Sequence, residues 1–143
     1  MATEVIRTIK PSGGDYTSLS AWEAGMQKNL VTADEISVAE CYSMQDTVAA
    51  SVSGWTTDAT RYIKIYTPTS ERHDGKWNAN KYNLTITNAT ALLAAEEFVR
   101  VDGLQLTVIS PTAANKYCYS VGAIVAPSEL RISNTIIVGH GSA

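Results

Sequence analysis

The residues best suited to bind a ligand lie in the longest polar segment of the chain, TPTSERHDGKWNANKY, at positions 67–82. An aromatic plane can stack on a sugar ring, while amides and a carboxylate can bond the sugar hydroxyls. Loops of this length often carry function. The candidate ligand-binding residues are therefore His73, Asp74, Trp77, Asn78, Asn80 and Tyr82. The alternative is that Trp77 folds back onto the body of the protein and the rest of the segment is solvated.

Sequence motifs that would carry a reaction are missing. There is no glycine-rich phosphate loop, no HExxH and no serine-centred elbow. Cys41 and Cys118 lie 77 positions apart without Cys or His at metal-binding spacing, so buried free thiols are favoured and a disulfide is the alternative. The sequence therefore predicts no catalytic residue, no metal site and no cofactor.

Composition places the chain among ordinary globular proteins. Its 143 residues are 45% hydrophobic and 17% charged, with a formal net charge of -3, which suits one domain with a real core. Nucleic acid is not an expected partner, because phosphate binding needs clustered Lys and Arg. A membrane partner is not expected either, since no apolar run reaches spanning length. No signal-peptide pattern is visible at the N-terminus.

One helix is expected near the start of the chain, over 20–30. Ser20 and Glu23 have the spacing of a capping box, and one apolar stripe follows, formed by Leu19, Trp22, Met26 and Leu30. The rest of the sequence is β-rich. Its short segments are EISVAECY, AASVSGW, RYIKIYTP, YNLTITN, EFVRVDGLQLTVIS, YSVGAIVAP and ELRISNTIIVGHG.

These β-rich segments contain a repeat. Aligning YIKIY, FVRVDGLQL and ELRISNTII, with EISVAE added above, spaces the rungs by 27, 36 and 31 residues. Unequal intervals around a matched strand fit a solenoid whose rungs differ in their loops. Gly103 and Asn134 recur at one aligned position, where both favour positive φ. The inward residues of the alignment are Ile36, Val38, Ile63, Ile65, Val99, Val101, Leu130 and Ile132.

The order GGDY, SLSAWE and DEISVAECY, followed by strand rungs, resembles the start of right-handed parallel β-helix proteins of the pectate-lyase-like superfamily, which include phage tail spikes. The resemblance implies a mainly β fold, a short right-handed parallel β-helix with an N-terminal capping helix. One domain would span 1–143, with the opening strand and capping helix in 1–34 and about four rungs in 35–143, as a whole protein or cut from a longer β-helix. An antiparallel sandwich with one helix is the alternative.

The resemblance also implies a second candidate site, because enzymes of this superfamily place acids and an arginine on the outward strand face. The matching positions form an alternative groove of Lys64, Arg100, Asp102 and Arg131. Carboxylates there are too sparse to hold calcium or to act as an acid and base pair.

We therefore expect a non-catalytic structural or binding module of a virion or cell surface, with polysaccharide as the candidate ligand. A polysaccharide lyase or glycoside hydrolase is the alternative. No apolar helix follows the last strand, in 139–143, so the final rung would lack a lid. This predicts a homo-oligomer through the C-terminal rung, as a two-fold dimer or as a side-by-side trimer.

Overall fold

The computed structural model describes residues 1–110, 112 and 115–141. The chain is mainly β, with two short α-helices near the start. In chain order its elements are β1 (Thr3–Ile9), α1 (Leu19–Met26), α2 (Leu30–Ala33), β2 (Glu35–Cys41), β3 (Gln45–Asp46), β4 (Ala50–Val52), β5 (Ile63–Tyr66), a 3-10 turn (Thr69–Glu71), β6 (Asn83–Thr87), β7 (Leu92–Ala94), β8 (Phe98–Asp102), β9 (Gln105–Ser110), β10 (Tyr119–Val121), β11 (Glu129–Ser133) and β12 (Ile136–Gly141).

The strands form three parallel sheets. The first has the order β1-β2-β5-β8-β11, the second β3-β6-β9-β12 and the third β4-β7-β10. After β1 the chain visits the first, second and third sheets in turn, and we call each such circuit a pass. Three full passes are followed by a fourth formed by β11 and β12. Every pairing between described strands is parallel, which excludes the antiparallel sandwich.

The register predicted for three of the aligned segments is confirmed. Ile63 pairs with Val99, which pairs with Leu130, and the next two columns follow in step. These columns place Lys64, Arg100 and Arg131 together, and Ile65, Val101 and Ile132 together.

The fourth aligned segment is wrong by one residue. Ser37 pairs with Ile63 and Val38 pairs with Lys64, so Ile36 and Val38 do not join the inward columns. The inward residues of β2 are small, and Val38 is fully buried although it lies outside the core cluster. Apolar alternation therefore marks the wrong face of this strand, and a one-residue slip exchanges the two faces.

The predicted turn between the first and second sheets is present in the last two passes. Gly103 has φ 79° and Asn134 has φ 46°. Each lies between two strands that appear in the sequence as one continuous β-rich segment. Each turns the chain from the first sheet to the second. Positive φ is open to glycine and tolerated by asparagine, which explains the residue types.

The helix begins and ends earlier than the prediction. Its N-cap is Ser18, whose side chain accepts a hydrogen bond from the N–H of Ala21, so the capping box of Ser20 and Glu23 is wrong. The Glu23 carboxylate instead accepts from the indole N–H of Trp55 at 3.1 Å. The predicted continuation over 27–29 is not helical, and a separate helix, α2, begins at Leu30.

Helix α1 packs against one end of all three sheets. It contacts β1 and β2 of the first sheet and β4 of the third, and the N–H of Leu19 donates to Asp46 on β3 of the second sheet at 2.7 Å. Leu19 and Trp22 are fully buried, and the ring of Trp22 stacks on that of Trp55 with centroids 5.7 Å apart. The apolar stripe of the helix thus joins the core cluster between the sheets.

Candidate functional site

The polar segment 67–82 folds along the side of the protein as a strap. It lies between β5 and β6, where the other passes have short turns. Near its start, Glu71 accepts hydrogen bonds from the hydroxyl and N–H of Ser43, at 2.5 and 3.2 Å, in the turn of the first pass. The Ser43 hydroxyl lowers the pKa of Glu71. Lys81 donates to the carbonyl of Ser70 at 2.7 Å and so ties the two ends of the strap together.

Arg72 anchors the strap to the third pass. Its guanidinium donates to the carbonyl of Thr67 at 3.0 Å and to the carboxylate of Asp102 at 2.6 Å. Ser133 and Asn134 donate to the other oxygen of Asp102, at 2.8 and 2.7 Å. Partial burial opposes ionisation, but these hydrogen bonds prevail and lower the pKa of Asp102. The carboxylate is therefore a structural link between passes.

Two predicted ligand-binding residues also hold the strap in place. The Nε2 atom of His73 lies 2.8 Å from the carbonyl oxygen of Asn134. Both residues line a cavity of about 390 Å³. The backbone N–H of Asn78 donates to Gln105 at 2.6 Å, and the Gln105 amide donates back to its carbonyl at 2.9 Å. His73 and Asn78 thus fasten the strap to the fourth and third passes.

The other predicted strap residues do not form one site. Tyr82 is only 1% exposed, and its hydroxyl donates to the buried Asp46 at 3.1 Å. Tyr82 thus belongs to the core cluster, where a ligand on the surface of the strap would not reach it. Asp74, Trp77 and Asn80 are exposed. Trp77 remains accessible at 37% exposure.

The alternative groove on the outer face of the first sheet is neutralised by its own residues. Arg100 stacks 3.6 Å from the ring centroid of Tyr62 and donates to Glu129 at 3.2 Å. Arg131 donates to the other oxygen of Glu129 at 2.6 Å, and together the two guanidinium groups, Arg131 foremost, lower the pKa of Glu129. Lys64 lies 4.7 Å from the centroid of Tyr66. The predicted column is present, but its charges already have partners.

A larger groove lies at the turns from the third sheet back to the first. Its volume is about 830 Å³. Long turns at 53–62 and 122–128 form its two walls, and the turn between them, 95–97, is short. The groove exists because a short turn lies between two long ones. Its lining residues are Trp55, Thr56, Thr57, Asp58, Ala59, Thr60, Glu97, Phe98, Val125, Ala126, Pro127, Ser128 and Glu129.

One wall of the groove is fixed by a compact hydrogen-bonded turn. The Asp58 carboxylate accepts from the N–H groups of Thr60 and Arg61, at 2.8 and 2.7 Å. Arg61 also donates to Asp58 at 3.1 Å and to Asp34 at 2.8 Å. Burial opposes the ionised form, yet the hydrogen bonds from Thr60 and Arg61 lower the pKa of Asp58 to about 2. Such a wall is preformed and charged.

The floor of the groove is held from below. Trp55 is 6% exposed, and its N–H donates to the buried Glu96 at 2.7 Å. Burial raises the pKa of Glu96. Phe98, 9% exposed, also lines the groove. The floor is therefore aromatic.

Glu97 is the charged group of the groove that is left without a cation. All three charged residues of its lining are carboxylates. Asp58 and Glu129 form ion pairs, whereas the Glu97 carboxylate has no ion pair in the described structure and accepts only a 3.4 Å contact from the N–H of Val125. The Thr57 hydroxyl is buried without a partner in the same part of the chain. The groove thus combines an aromatic floor with an available carboxylate.

Across the described residues, no cluster of His, Cys, Asp and Glu is arranged to hold a metal ion. Their helices are all too short or too polar to cross a membrane. No protein-family model, curated protein or solved structure matches the chain.

Sequence reasoning missed the groove entirely. A usable signal was the distance along the chain between successive third-sheet and first-sheet strands, which is long after Val52, short after Ala94 and long again after Val121. The sequence instead pointed to its longest polar segment, 67–82, which forms the strap.

Proposed function

We propose that the chain is a short right-handed parallel β-helix, similar to the pectate-lyase-like superfamily, with α1 as the lid on its N-terminal end. The repeated visit to three parallel sheets supports the helix, because each pass stacks directly on the previous one. Right-handed crossover is the rule for parallel strands connected in this way. The contacts of α1 with β2 and β4 support the lid.

We further propose that this module is non-catalytic and binds an extended glycan in the groove of 53–62, 95–97 and 122–128. The observation behind the proposal is the combination of an aromatic floor at Phe98 with a cation-free carboxylate at Glu97. Aromatic faces stack on sugar rings, and a carboxylate accepts hydrogen bonds from sugar hydroxyls. The same chemistry is weaker on the strap, where Trp77 lies apart from a comparable floor.

The charge of the groove selects the class of glycan. Because the Glu97 carboxylate is not paired with a cation in the described structure, a polyanionic chain would be repelled there. A neutral glycan, or one with amino groups that pair with Glu97, fits better. We therefore assign neutral and amino-sugar polysaccharides to the groove, rather than the acidic polysaccharides that the column of Arg100 and Arg131 would have suited.

We propose a non-catalytic module because of the ionisation states of its carboxylates. A glycosidase needs one carboxyl with a raised pKa and a second ionised one flanking the same bond. The exterior carboxylates Asp58, Asp102 and Glu129 have lowered pKa values and fixed partners. Glu96 has a raised pKa but is buried behind Trp55. We therefore propose a binding role, in a virion or on a cell surface.

Isothermal titration with three probes tests the proposal: chitosan oligosaccharide, dextran and polygalacturonate. We expect chitosan to bind best and polygalacturonate not to bind. Glu97→Gln should weaken chitosan binding about fivefold, which corresponds to the loss of about 1 kcal/mol from one exposed ion pair, and should leave dextran unchanged. The matched control is Asp74→Asn, which removes an exposed carboxylate from the strap.

Three outcomes would overturn the assignment. Tighter binding of polygalacturonate would contradict the charge argument. Loss of binding in Trp77→Ala, with no change in Glu97→Gln, would move the site to the strap. Release of reducing ends from any probe would establish the lyase or hydrolase alternative.

A further inference from the structure

The end of the sheets opposite α1 is formed by one strand from each sheet: β11 from the first, β12 from the second and β10 from the third. In the described part of the chain no strand pairs with the outer edge of any of the three. At the other end, α1 covers the corresponding strands. Among the described residues, the two ends of the sheets therefore differ: one is covered by α1 and the other is not.

Exposure of the inward columns shows how open this end is. Ile65 and Val101 are 0% and 1% exposed, whereas Ile132, next in the same column, is 44% exposed. Leu106 is fully buried, and Ile137, its neighbour on β12, is 51% exposed. The third sheet repeats the pattern with Ala94 at 0% and Val121 at 49%. Residues that belong to the core in earlier passes lie uncovered here.

We infer that a second copy of the chain covers this face through a two-fold axis. The face offers two things at once, apolar side chains and unpaired backbone groups, and another strand stacked on this edge satisfies both. A head-to-tail arrangement would need a second open end, which α1 closes. A two-fold dimer uses the same face twice and closes the assembly.

The backbone of β11 is oriented for this pairing. The N–H of Glu129 donates to Glu97, and the carbonyl of Ser133 accepts from Gly103, so both residues point toward the third pass. The backbone groups of alternate residues in a strand point in opposite directions. The N–H and carbonyl groups of Leu130 and Ile132 therefore point away from the third pass, toward the uncovered edge. A two-fold axis across the stack makes the two copies of β11 antiparallel.

Charge selects the register of that pair. When Leu130 lies opposite its own copy, Glu129 of each protomer faces Arg131 of the other, which places opposite charges across the interface twice. When Arg131 lies opposite its own copy, two guanidinium groups face each other. The first register is therefore favoured, and the outer face of β11 is complementary to itself.

In the same dimer, the second sheet of each protomer covers the third sheet of its partner. A two-fold axis through the first sheet swaps the second and third, so β12 of one protomer stacks on β10 of its partner. Ile137 is thereby placed over the column that ends at Val121. One operation buries the open columns of all three sheets.

Sedimentation velocity on the full chain, up to about 100 µM, tests this inference. We expect a concentration-dependent dimer whose dissociation constant rises at least about tenfold in Ile132→Lys and in Ile137→Lys, because a lysine would be buried without a partner. The matched control is Ile6→Lys on β1, since Ile6 is 42% exposed but lies at the other end. Far-ultraviolet circular dichroism of each variant checks that it is folded.

Arg131→Glu tests the register, because it would place like charges opposite each other in the proposed pair and should also weaken the dimer. A strict monomer, a trimer or an open-ended polymer would overturn the inference. So would a dimer that Ile6→Lys weakens as much as Ile132→Lys. Ile137 does not line the groove, so glycan binding retained in Ile137→Lys separates failure of the dimer from failure of the proposed function.

Discussion

Arg72 passes directly over the α-carbon of Gly103. A β-carbon built at position 103 would lie 2.5 Å from Cζ of Arg72, so a side chain there would displace the guanidinium that bonds Asp102. The position also has φ 79°, which other residues rarely adopt. Gly103 is therefore favoured for two independent reasons, the positive φ of the turn and the close approach of Arg72.

Gly103→Ala should lower the free energy of unfolding more than a glycine substitution that meets only the φ demand. The matched control is Gly13→Ala, which has φ 69° and no atom within 4 Å of the added carbon and should cost about 1–2 kcal/mol. Displacing Arg72 from its hydrogen bonds should add about 1–3 kcal/mol at position 103. Urea unfolding measures both. Equal losses in the two variants would contradict the close contact, and the added cost should disappear in an Arg72→Ala background.

The ion pair that Arg72 makes should appear in the pH dependence of stability. The folded pKa of Asp102 is lowered, so the unfolded state binds more protons at acid pH and acid favours unfolding. The stabilisation is complete above the unfolded pKa and is lost as the pH falls through the folded pKa. At neutral pH, Asp102→Asn should cost about 1 kcal/mol, because the side chain is 31% exposed and solvent screens the pair.

Urea unfolding from pH 7 down to about pH 2 measures this difference between Asp102→Asn and the wild type. The difference should be constant near neutrality and vanish in acid. Asp74→Asn is the control, since the Asp74 carboxylate has no partner in the described structure, and its stability should match the wild type throughout. A difference for Asp102→Asn that persists at the lowest pH would contradict an ionic origin.

The fold was predictable where the sequence repeats a strand together with its corner. YIKIY, FVRVDGLQL and ELRISNTII align because inward Ile or Val and the turn residues Gly103 and Asn134 recur together. The first pass failed because its inward positions, Ser37 and Ala39, are small, and the apolar signal came from the covered outer face at Val38. Hydrophobic alternation reports burial, but it does not say which face is the core.

The groove was not predictable in the same way. Trp55 and Glu97 come from turns of different passes, Phe98 begins β8, and nothing local in the sequence says that these turns adjoin. The prediction of a ligand site in the strap had a related weakness. Polar groups of the strap form hydrogen bonds with Ser43, Asp102 and Gln105 of the protein itself. Polar side chains that join passes and polar side chains that await a ligand look alike until the register is known.

The buried Asp46 should be the most sensitive polar residue of the core. It is 1% exposed and accepts from the N–H groups of Leu19 and Val48 and from the hydroxyl of Tyr82. Asp46→Asn would leave a buried donor facing another donor and should cost about 1–3 kcal/mol. Tyr82→Phe removes one bond from the same carboxylate and should cost about 0.5–1.5 kcal/mol. Thermal unfolding measures both, and a larger loss in Tyr82→Phe would show that Asp46 is not the centre of the network.

The two thiols should differ in reactivity. Cys41 is fully buried and Cys118 is 9% exposed, and burial raises the pKa of both, which suppresses the reactive thiolate. Cys118 directly precedes β10 at the uncovered end, so local opening should expose it first. With iodoacetamide and mass spectrometry, Cys118 should react slowly in the folded protein and Cys41 only on global unfolding. Equal rates, or an intact mass lower by two hydrogens, would contradict this prediction.

The packing of α1 can be tested at its largest buried side chain. Trp22 is fully buried and stacks on Trp55, so Trp22→Ala should cost about 3–5 kcal/mol and uncover the end strands. Its indole N–H, however, has no hydrogen-bond partner in the described structure, and an unsatisfied buried donor costs about 1–3 kcal/mol. Trp22→Phe removes that donor while keeping an aromatic ring, so the relief offsets much of the lost volume.

Urea unfolding should therefore rank Trp22→Phe close to the wild type and far above Trp22→Ala. Trp22→Ala should also bind the dye ANS, because the apolar ends of β2 and β4 lose their cover. Trp77→Ala is the matched control, since that tryptophan is 37% exposed on the strap and its loss should change neither stability nor dye binding. If Trp22→Phe were as unstable as Trp22→Ala, the indole N–H would have to be bonded in solution. If Trp22→Ala were as stable as the wild type, α1 would contribute nothing to covering the sheets.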